Sequence, residues 1–322
     1  MRKKCSIEGC DAPKGLCKNS MSSDYQECDE WRSIDEDKAD KGKSSSIETN
    51  IPWTGMELTP EDIGLLSHRS SPIIIGLIGS ANAGKTSYIG MLYTLLFNGR
   101  KFNNWSFAGS YTLNAWEAQA KSLKINSKGK VPFPKSTPSH PDYYSLYHLA
   151  LKKDKRLYDI LFADSSGEVF TKWATDTENS EAENAKWIYQ NSDGFIFFVD
   201  CEALIIGRGG ARRPILQLAG QISSNLGTRK VVVVWSKAEK INEISAPLKK
   251  SIDEGLQRFF PNAPHLYISN FSASPDDEYC YVNNLATSET ILDKITQSQK
   301  LRLTPIISNS PDFFFSYGTS NQ

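Results

Sequence analysis

The sequence predicts an α/β domain of three layers: a mostly parallel sheet with one antiparallel edge strand, helices on both faces, and a short Cys-rich segment in front. Three observations carry that expectation. The first is Pro72–Ser87, where the apolar run Ile73–Ile78 meets Gly79 and an apolar-periodic helix follows through Tyr88, Met91, Leu92, Leu95 and Leu96. A continuous apolar run of strand length reads as a parallel strand buried on both faces. The second is the return of such runs at Gly194–Val199 and Lys230–Trp235, each followed by a helical pattern, Ile215–Leu226 and Ser245–Phe260, with a last short strand at His265–Ile268. That alternation builds a parallel sheet. The third is a pair of strands, Asp142–Lys152 and Leu157–Ala163, joined by the charged turn Lys153-Asp154-Lys155. They read as a hairpin, which supplies the antiparallel edge.

Between the first strand and its helix lies Gly79-Ser80-Ala81-Asn82-Ala83-Gly84-Lys85-Thr86-Ser87, which fits G-x-x-x-x-G-K-[ST]. Its glycines let the backbone curl so that successive N–H groups face phosphate oxygens, and the helix N-terminus adds positive potential at the same spot. Lys85 is placed to reach β- and γ-phosphates, and the Thr86 hydroxyl to sit on Mg²⁺. The motif implies a nucleoside triphosphate.

Composition narrows the rest. Lys+Arg and Asp+Glu balance at 37 each in 322 residues, so no global charge draws the chain to nucleic acid or to an acidic membrane surface. The longest apolar runs are too short to cross a bilayer, and the N-terminus lacks a secretory h-region. The expectation is a cytoplasmic protein with no membrane span. The four histidines, His68, His140, His148 and His265, are scattered and form no ligand pattern.

Taken in order, the chain opens with Cys5, Cys10, Cys17 and Cys28. Four thiols on a segment too small for its own core suit a tetrahedral Zn²⁺ site, the alternative being reduced thiols on a tail. Residues 1–30 form that segment, and 31–50, charged and Ser-rich, read as a linker. Thr59-Pro60-Glu61-Asp62 resembles a helix N-cap with Pro at the first position, leading to about Leu66. Trp105–Gly109 reads as a short strand, Leu113–Leu123 as a helix, Asn126–Pro141 as a loop, Thr171–Ser180 as a polar stretch and Glu181–Gln190 as a helix. A domain spanning 51–275 would then be followed by an extension, 276–322, with one helix near Ser288–Gln297. Cys201 and Cys280 stand alone and suggest no role.

The hairpin's second strand runs into Asp164-Ser165-Ser166-Gly167-Glu168. A carboxylate at that strand end, beside the phosphate loop, can hold Mg²⁺ through water, and Gly167 can bring its N–H to a γ-phosphate. Phosphate loop, loop, hairpin and D-x-x-G in this order resemble the TRAFAC class of translation-factor- and Ras-like GTPases, three-layer P-loop NTPases. Trp53-Thr54-Gly55, Gly79–Ser87, Ala108-Gly109-Ser110-Tyr111-Thr112-Leu113, Asp164–Glu168 and the strand ending Val199-Asp200 look like a narrower group. That group is the double-GTPase family predicted in bacterial conflict and antiphage operons, and the likeness covers about Ile51–Ile268.

The resemblance implies roles. Gly79–Ser87 cradles the phosphates of GTP or GDP, with Lys85 neutralising charge. Thr86 and Asp164 serve the magnesium, and Gly167 senses the γ-phosphate. Glu168 stands where Ras-like enzymes carry a water-orienting Gln, and Thr137 is the candidate switch-one hydroxyl, its alternative being a plain loop hydroxyl. Base recognition departs from the class: N/T-K-x-D is replaced by Ser236-Lys237-Ala238-Glu239, which keeps the Lys and a longer carboxylate but loses the amide that ties this loop to the phosphate loop. Ser272-Ala273 is a candidate for the last base contact. Three functions compete: a slow Mg²⁺-dependent GTPase switch with protein partners from its operon, a nucleotide-holding scaffold, and an ATPase. Arg100, Arg208, Arg212 and Arg213 are candidates for an arginine finger in cis.

Overall fold

Ile73–Gly79 (β1) is flanked on both sides by parallel neighbours, and the rest of the sheet grows outward from it. In this computed structural model the described residues are 55–67, 70–124, 136–272, 274 and 276–297, with backbone alone at 3–5, 31–33, 303–305 and 318–320. The chain divides into two units, residues 1–53 and 54–322. In the first, Lys3–Cys5 pairs antiparallel with Trp31–Ser33, Cys5 opposite Trp31. Cys10, Cys17, Cys28 and the linker 34–50 lie outside the described residues, so the expected zinc ligands are placed only at the backbone of Cys5.

The second unit holds the sheet. Its strands are β1, β2 (Ser106–Gly109), β3 (Ser145–Lys153), β4 (Arg156–Asp164), β5 (Gly194–Asp200), β6 (Lys230–Ser236) and β7 (His265–Ile268), in the order β2-β3-β4-β1-β5-β6-β7. Five run parallel from β4 to β7, and β3 is reversed against β4 over a nine-pair ladder from Ser145↔Asp164 to Lys153↔Arg156. The reversed strand is one place in from the edge, because β2 pairs on its outer side with an irregularity between Phe107 and Gly109.

Alternation assigns the faces. Ile75, Leu77, Leu149, Phe162, Ile196, Phe198, Val232 and Val234 point to one side, where they meet α1 (Lys85–Phe97), α2 (Leu113–Ser122) and α9 (Asn283–Thr296). The other side carries α3 (Gly167–Thr175), α4 (Glu183–Asn191), α6 (Gly209–Ser224) and α7 (Ala246–Phe259); two short helices, α5 (Cys201–Gly207) and α8 (Glu278–Tyr281), complete the set.

Several elements differ from expectation for local reasons. Thr171–Ser180 is not simply a polar stretch: α3 starts at Gly167, capped by the Ser166 hydroxyl, and buries Val169, Phe170 and Trp173. The Asp200 carboxylate caps α5, an element with no periodicity long enough to read. The helix expected from Ile215 starts at Gly209, with Pro214 inside it. The last helix begins at Asn283, ahead of Ser288, and it belongs to the core. Leu285, Ile291 and Leu292 are buried with the sheet, and the Tyr88 hydroxyl meets Ser288 Oγ at 2.5 Å and donates to Asn284 O at 3.2 Å. Trp105 Nε1 and Lys153 Nζ both donate to Asp293 Oδ1, at 3.1 and 2.5 Å. The packed core therefore runs past residue 275, the boundary expected from sequence.

Ile291→Ala should lower unfolding free energy by about 2–5 kcal/mol, the cost of a buried cavity of that size. A chain ending at 275 should lose cooperative unfolding in urea altogether; a truncated chain that melts like the parent would make α9 an appendage.

Candidate functional site

The parallel strands β4, β1, β5 and β6 all end on one edge of the sheet, and the phosphate loop, Asp164 and Lys237 lie at that edge. The loop after β1 turns through Asn82 at φ +59° and Gly84 at φ +86°, and α1 begins at Lys85. Ser80 accepts from Ala83 N at 3.3 Å, while Ala81 and Asn82 form an exposed rim and Ala83 is buried beneath them. Lys85 folds back over its own loop: Nζ donates to Gly79 O at 3.1 Å and Ser80 O at 3.0 Å. Burial lowers the Lys85 pKa to about 8, opposed by the negative charges of Asp164 and Asp200. Two carbonyl oxygens there are weak substitutes for phosphate, so the ammonium is under-compensated.

Asp164 ends β4, the parallel neighbour of β1, and is buried. Its Oδ2 accepts from Thr86 Oγ1 at 2.6 Å. Burial pushes its pKa up, and Lys85, the Thr86 hydroxyl and the Ser165 N–H pull the other way. Thr86 Oγ1 also lies 2.9 Å from Thr137 Oγ1, which arrives from the segment ahead of β3. Asp164 Oδ1 is buried and has no hydrogen-bond partner. One carboxylate and two hydroxyls form an oxygen donor set of the kind magnesium takes, with an orphaned acceptor among them. These residues fit the ion.

Gly167 is pressed against the phosphate loop: a Cβ there would lie 2.1 Å from Ala81 N and 2.1 Å from Ser80 C. Only glycine allows that approach. Glu168, next in line, is exposed, and its Oε2 accepts from Ser139 Oγ at 2.8 Å, with Ser139 Oγ 3.1 Å from Ser166 Oγ. Thr137 and Ser139 thus tie the segment before β3 to both Thr86 and Glu168. The polypeptide brings Lys85, Thr86, Thr137, Asp164, Gly167 and Glu168 to one place.

Asn184 was not foreseen. On α4 and fully buried, it donates through Nδ2 to His140 O at 3.2 Å, Tyr143 O at 3.0 Å and Ser165 Oγ at 3.0 Å. One side-chain amide therefore clamps the segment carrying Thr137 against the turn carrying Gly167. A single Asn in a helix carries no motif, and only the fold gives it partners.

At the end of β6, Ser236 is buried and donates to Val199 O at 3.3 Å. Lys237 stands at φ +54° and binds Asp200 Oδ2 at 2.8 Å and Glu202 Oε2 at 2.9 Å. Lys240 pairs with the same Glu202, and hydrogen bonds from Lys240 and Lys237 hold the Glu202 carboxyl down near 2. Lys237 is thus anchored by two carboxylates, which fixes the height of its methylene stem. Glu239 is exposed on the turn Ala238–Glu243, and Ser87 is half-buried in the first turn of α1. Ser272 is described, with its hydroxyl accepting from Ser274 N at 3.1 Å, while Ala273 lies outside the described residues.

Fold and site together define a P-loop domain of the GTPase type. The Double-GTPase 2 profile matches residues 73–295, more than half of the chain, and the chain belongs to that family. No curated protein sequence matches it. Among solved structures, Methanosarcina barkeri Roco2 RocCORdC bound to GDP is similar at 16% identity and a TM-score of 0.38, over 69% of this chain and 49% of that one. Nucleolar GTP-binding protein 1 from Plasmodium falciparum is similar at 15% identity and a TM-score of 0.41, over 70% of this chain and 86% of its own. The chain spans about half the length of the first of these.

Asn184→Ala should loosen the clamp without dismantling the sheet. Backbone amides of residues 140–146 should exchange with deuterium roughly tenfold faster, as expected for the loss of more than one buried hydrogen bond. Unchanged exchange there would remove Asn184 from the site.

Proposed function

We propose that this chain binds GTP with magnesium at the edge formed by β1, β4 and β6, and hydrolyses it slowly as a switch. The observation that carries the reading is the meeting of Thr86, Thr137 and Asp164 within hydrogen-bond distance, beside a glycine packed on the phosphate loop. On this reading Lys85 leaves the Gly79 and Ser80 carbonyls for the β- and γ-phosphates, and their charge restores its proton affinity. Thr86, Thr137 and Asp164 would hold magnesium, which neutralises charge on the phosphates when bound. Gly167 offers its N–H to the γ-phosphate, and Thr137 orders around the same group. The segment 137–145 and the start of α3 then report whether that phosphate is present.

Glu168 orients the attacking water and accepts its proton. Unlike an amide, a carboxylate donates nothing to the γ-phosphoryl oxygens and repels them, so turnover is slow, on the order of ~10⁻⁴–10⁻² s⁻¹. Guanine is the base we assign. Lys237, anchored by Asp200 and Glu202, stacks its stem on the ring, and the exposed Glu239 accepts from guanine N–H groups. Family resemblance extends the reading to a bacterial defence setting with protein partners from the same operon.

Single-turnover release of γ-phosphate, measured beside equilibrium affinity for GTP and ATP with and without Mg²⁺, tests this. The parent should prefer GTP and need Mg²⁺, and Lys85→Ala should abolish binding. Glu168→Ala should lower turnover at least tenfold with affinity unchanged. Equal turnover in Glu168→Ala would sink the water-orienting role, and a parent that holds GTP without releasing phosphate would leave a scaffold.

For the first unit we propose one zinc ion on Cys5, Cys10, Cys17 and Cys28. The Lys3–Cys5 ladder with Trp31–Ser33 supports it by closing the intervening chain, which carries the other three thiols, into a loop. The purified chain should carry about one zinc, lost when residues 1–46 are removed while nucleotide binding is kept. Four freely reactive thiols in the metal-free full-length protein would refute it.

A further inference from the structure

Asn270 lies just past β7 and donates through Nδ2 to Gly84 O at 3.1 Å, so a side chain from the far end of the sheet is bonded to the phosphate loop. Gly84 O also accepts from Tyr88 N at 2.8 Å, in the first turn of α1, so the Asn270 bond uses the carbonyl's second lone pair. Ser236 and Ile268 are register partners at the ends of β6 and β7, and their two loops emerge side by side next to Gly84. The space around Gly84 shows what each contributes. A Cβ on Gly84 would meet Asn270 Nδ2 at 3.1 Å and Ser236 Cβ at 4.0 Å. Both side chains therefore approach the same spot, and there is room for one amide.

We infer that Asn270 is the residue that ties the base-side loops to the phosphate loop, the amide having moved from the end of β6 to the end of β7. This rests on the proposed guanine-nucleotide site. The Ser236 hydroxyl is turned away to Val199 O, so it contributes nothing to Gly84. On this inference a longer side chain at 236 would compete with Asn270 for the space beside Gly84. The amide cannot turn over, since its oxygen would then face the Gly84 oxygen. That orientation leaves Asn270 Oδ1 buried without a partner, so the amide is held by its single bond to Gly84 O. Asn270 is thus a positioning residue. It sets the distance between the loop that holds phosphate and the loops that hold the base.

The test uses the full chain, with mant-GDP as probe, and three variants: Asn270→Ala, Ser236→Asn, and the two combined. Asn270→Ala should speed mant-GDP release roughly three- to tenfold, the effect of one hydrogen bond, and should raise deuterium exchange at residues 236–240 in the nucleotide-free protein. Ser236→Asn alone should weaken binding, because two amides compete for one space. The combined variant should bring both release rate and exchange back to within about threefold of the parent, since either position can supply the amide; loss of generic packing would not be rescued in this way. Unchanged exchange in Asn270→Ala, or a combined variant no better than Asn270→Ala, overturns the inference. A parent that binds no mant-GDP overturns the guanine reading instead, and the exchange measurement still decides the tether.

Discussion

A buried ammonium and a buried carboxylate at the ends of two adjacent parallel strands set the terms for the whole site. Lys85 and Asp164 are each at most one-twentieth exposed, and neither has the partner that would fully compensate its charge. Lys85 rests on two carbonyls, and Asp164 on the Thr86 hydroxyl with the Ser165 N–H beside it. Desolvation pushes both toward their neutral forms. Such a pair is tolerated because the sheet is rigid around it: β1 is hydrogen-bonded on both sides, and β4 is locked to β3 over nine residue pairs. The fold thereby holds two oppositely charged groups at an electrostatic cost, which the proposed GTP and magnesium would relieve.

Around that pair the chain places three tethers, each from a different element. Asn184 of α4 holds the segment before β3, Gly167 of α3 rests on the phosphate loop, and Asn270 after β7 reaches Gly84. Each joins segments far apart in sequence, and each reaches main-chain atoms of the other segment. They convert a generic parallel-sheet edge into one geometry.

Much of this was legible in the sequence, because its physics is local. Ile73–Ile78 with G-x-x-x-x-G-K-T needs only neighbours to be a strand, a phosphate loop and a helix, and the hairpin around Asp154 needs only its own turn. Thr137 was legible only through resemblance, and the fold does bring it to Thr86. Asn184 and Asn270 could not be read, and Asp200 was read only as a strand end, since an Asn or Asp acquires meaning only when folding supplies a carbonyl, a Lys or a helix start. The helix near Ser288–Gln297 was legible, but the start of α9 at Asn283 and its place in the core were not, because its polar residues Asn284, Thr287 and Ser288 are themselves buried. A pattern of apolar spacing does not register a helix that packs through hydrogen bonds.

That packing joins two regions which the order of the chain keeps apart. Asn283 Nδ2 donates to Tyr267 O at 2.9 Å and Asn284 Nδ2 to Ser269 O at 2.8 Å, while Ser269 N donates to Tyr279 O at 3.1 Å. The first turn of α9 is therefore laced to the strand end that carries Asn270, and its middle to Tyr88 on α1. Unravelling the first turn of α9 would remove the Asn283 and Asn284 bonds that hold the strand end carrying Asn270, the residue bonded to Gly84 O.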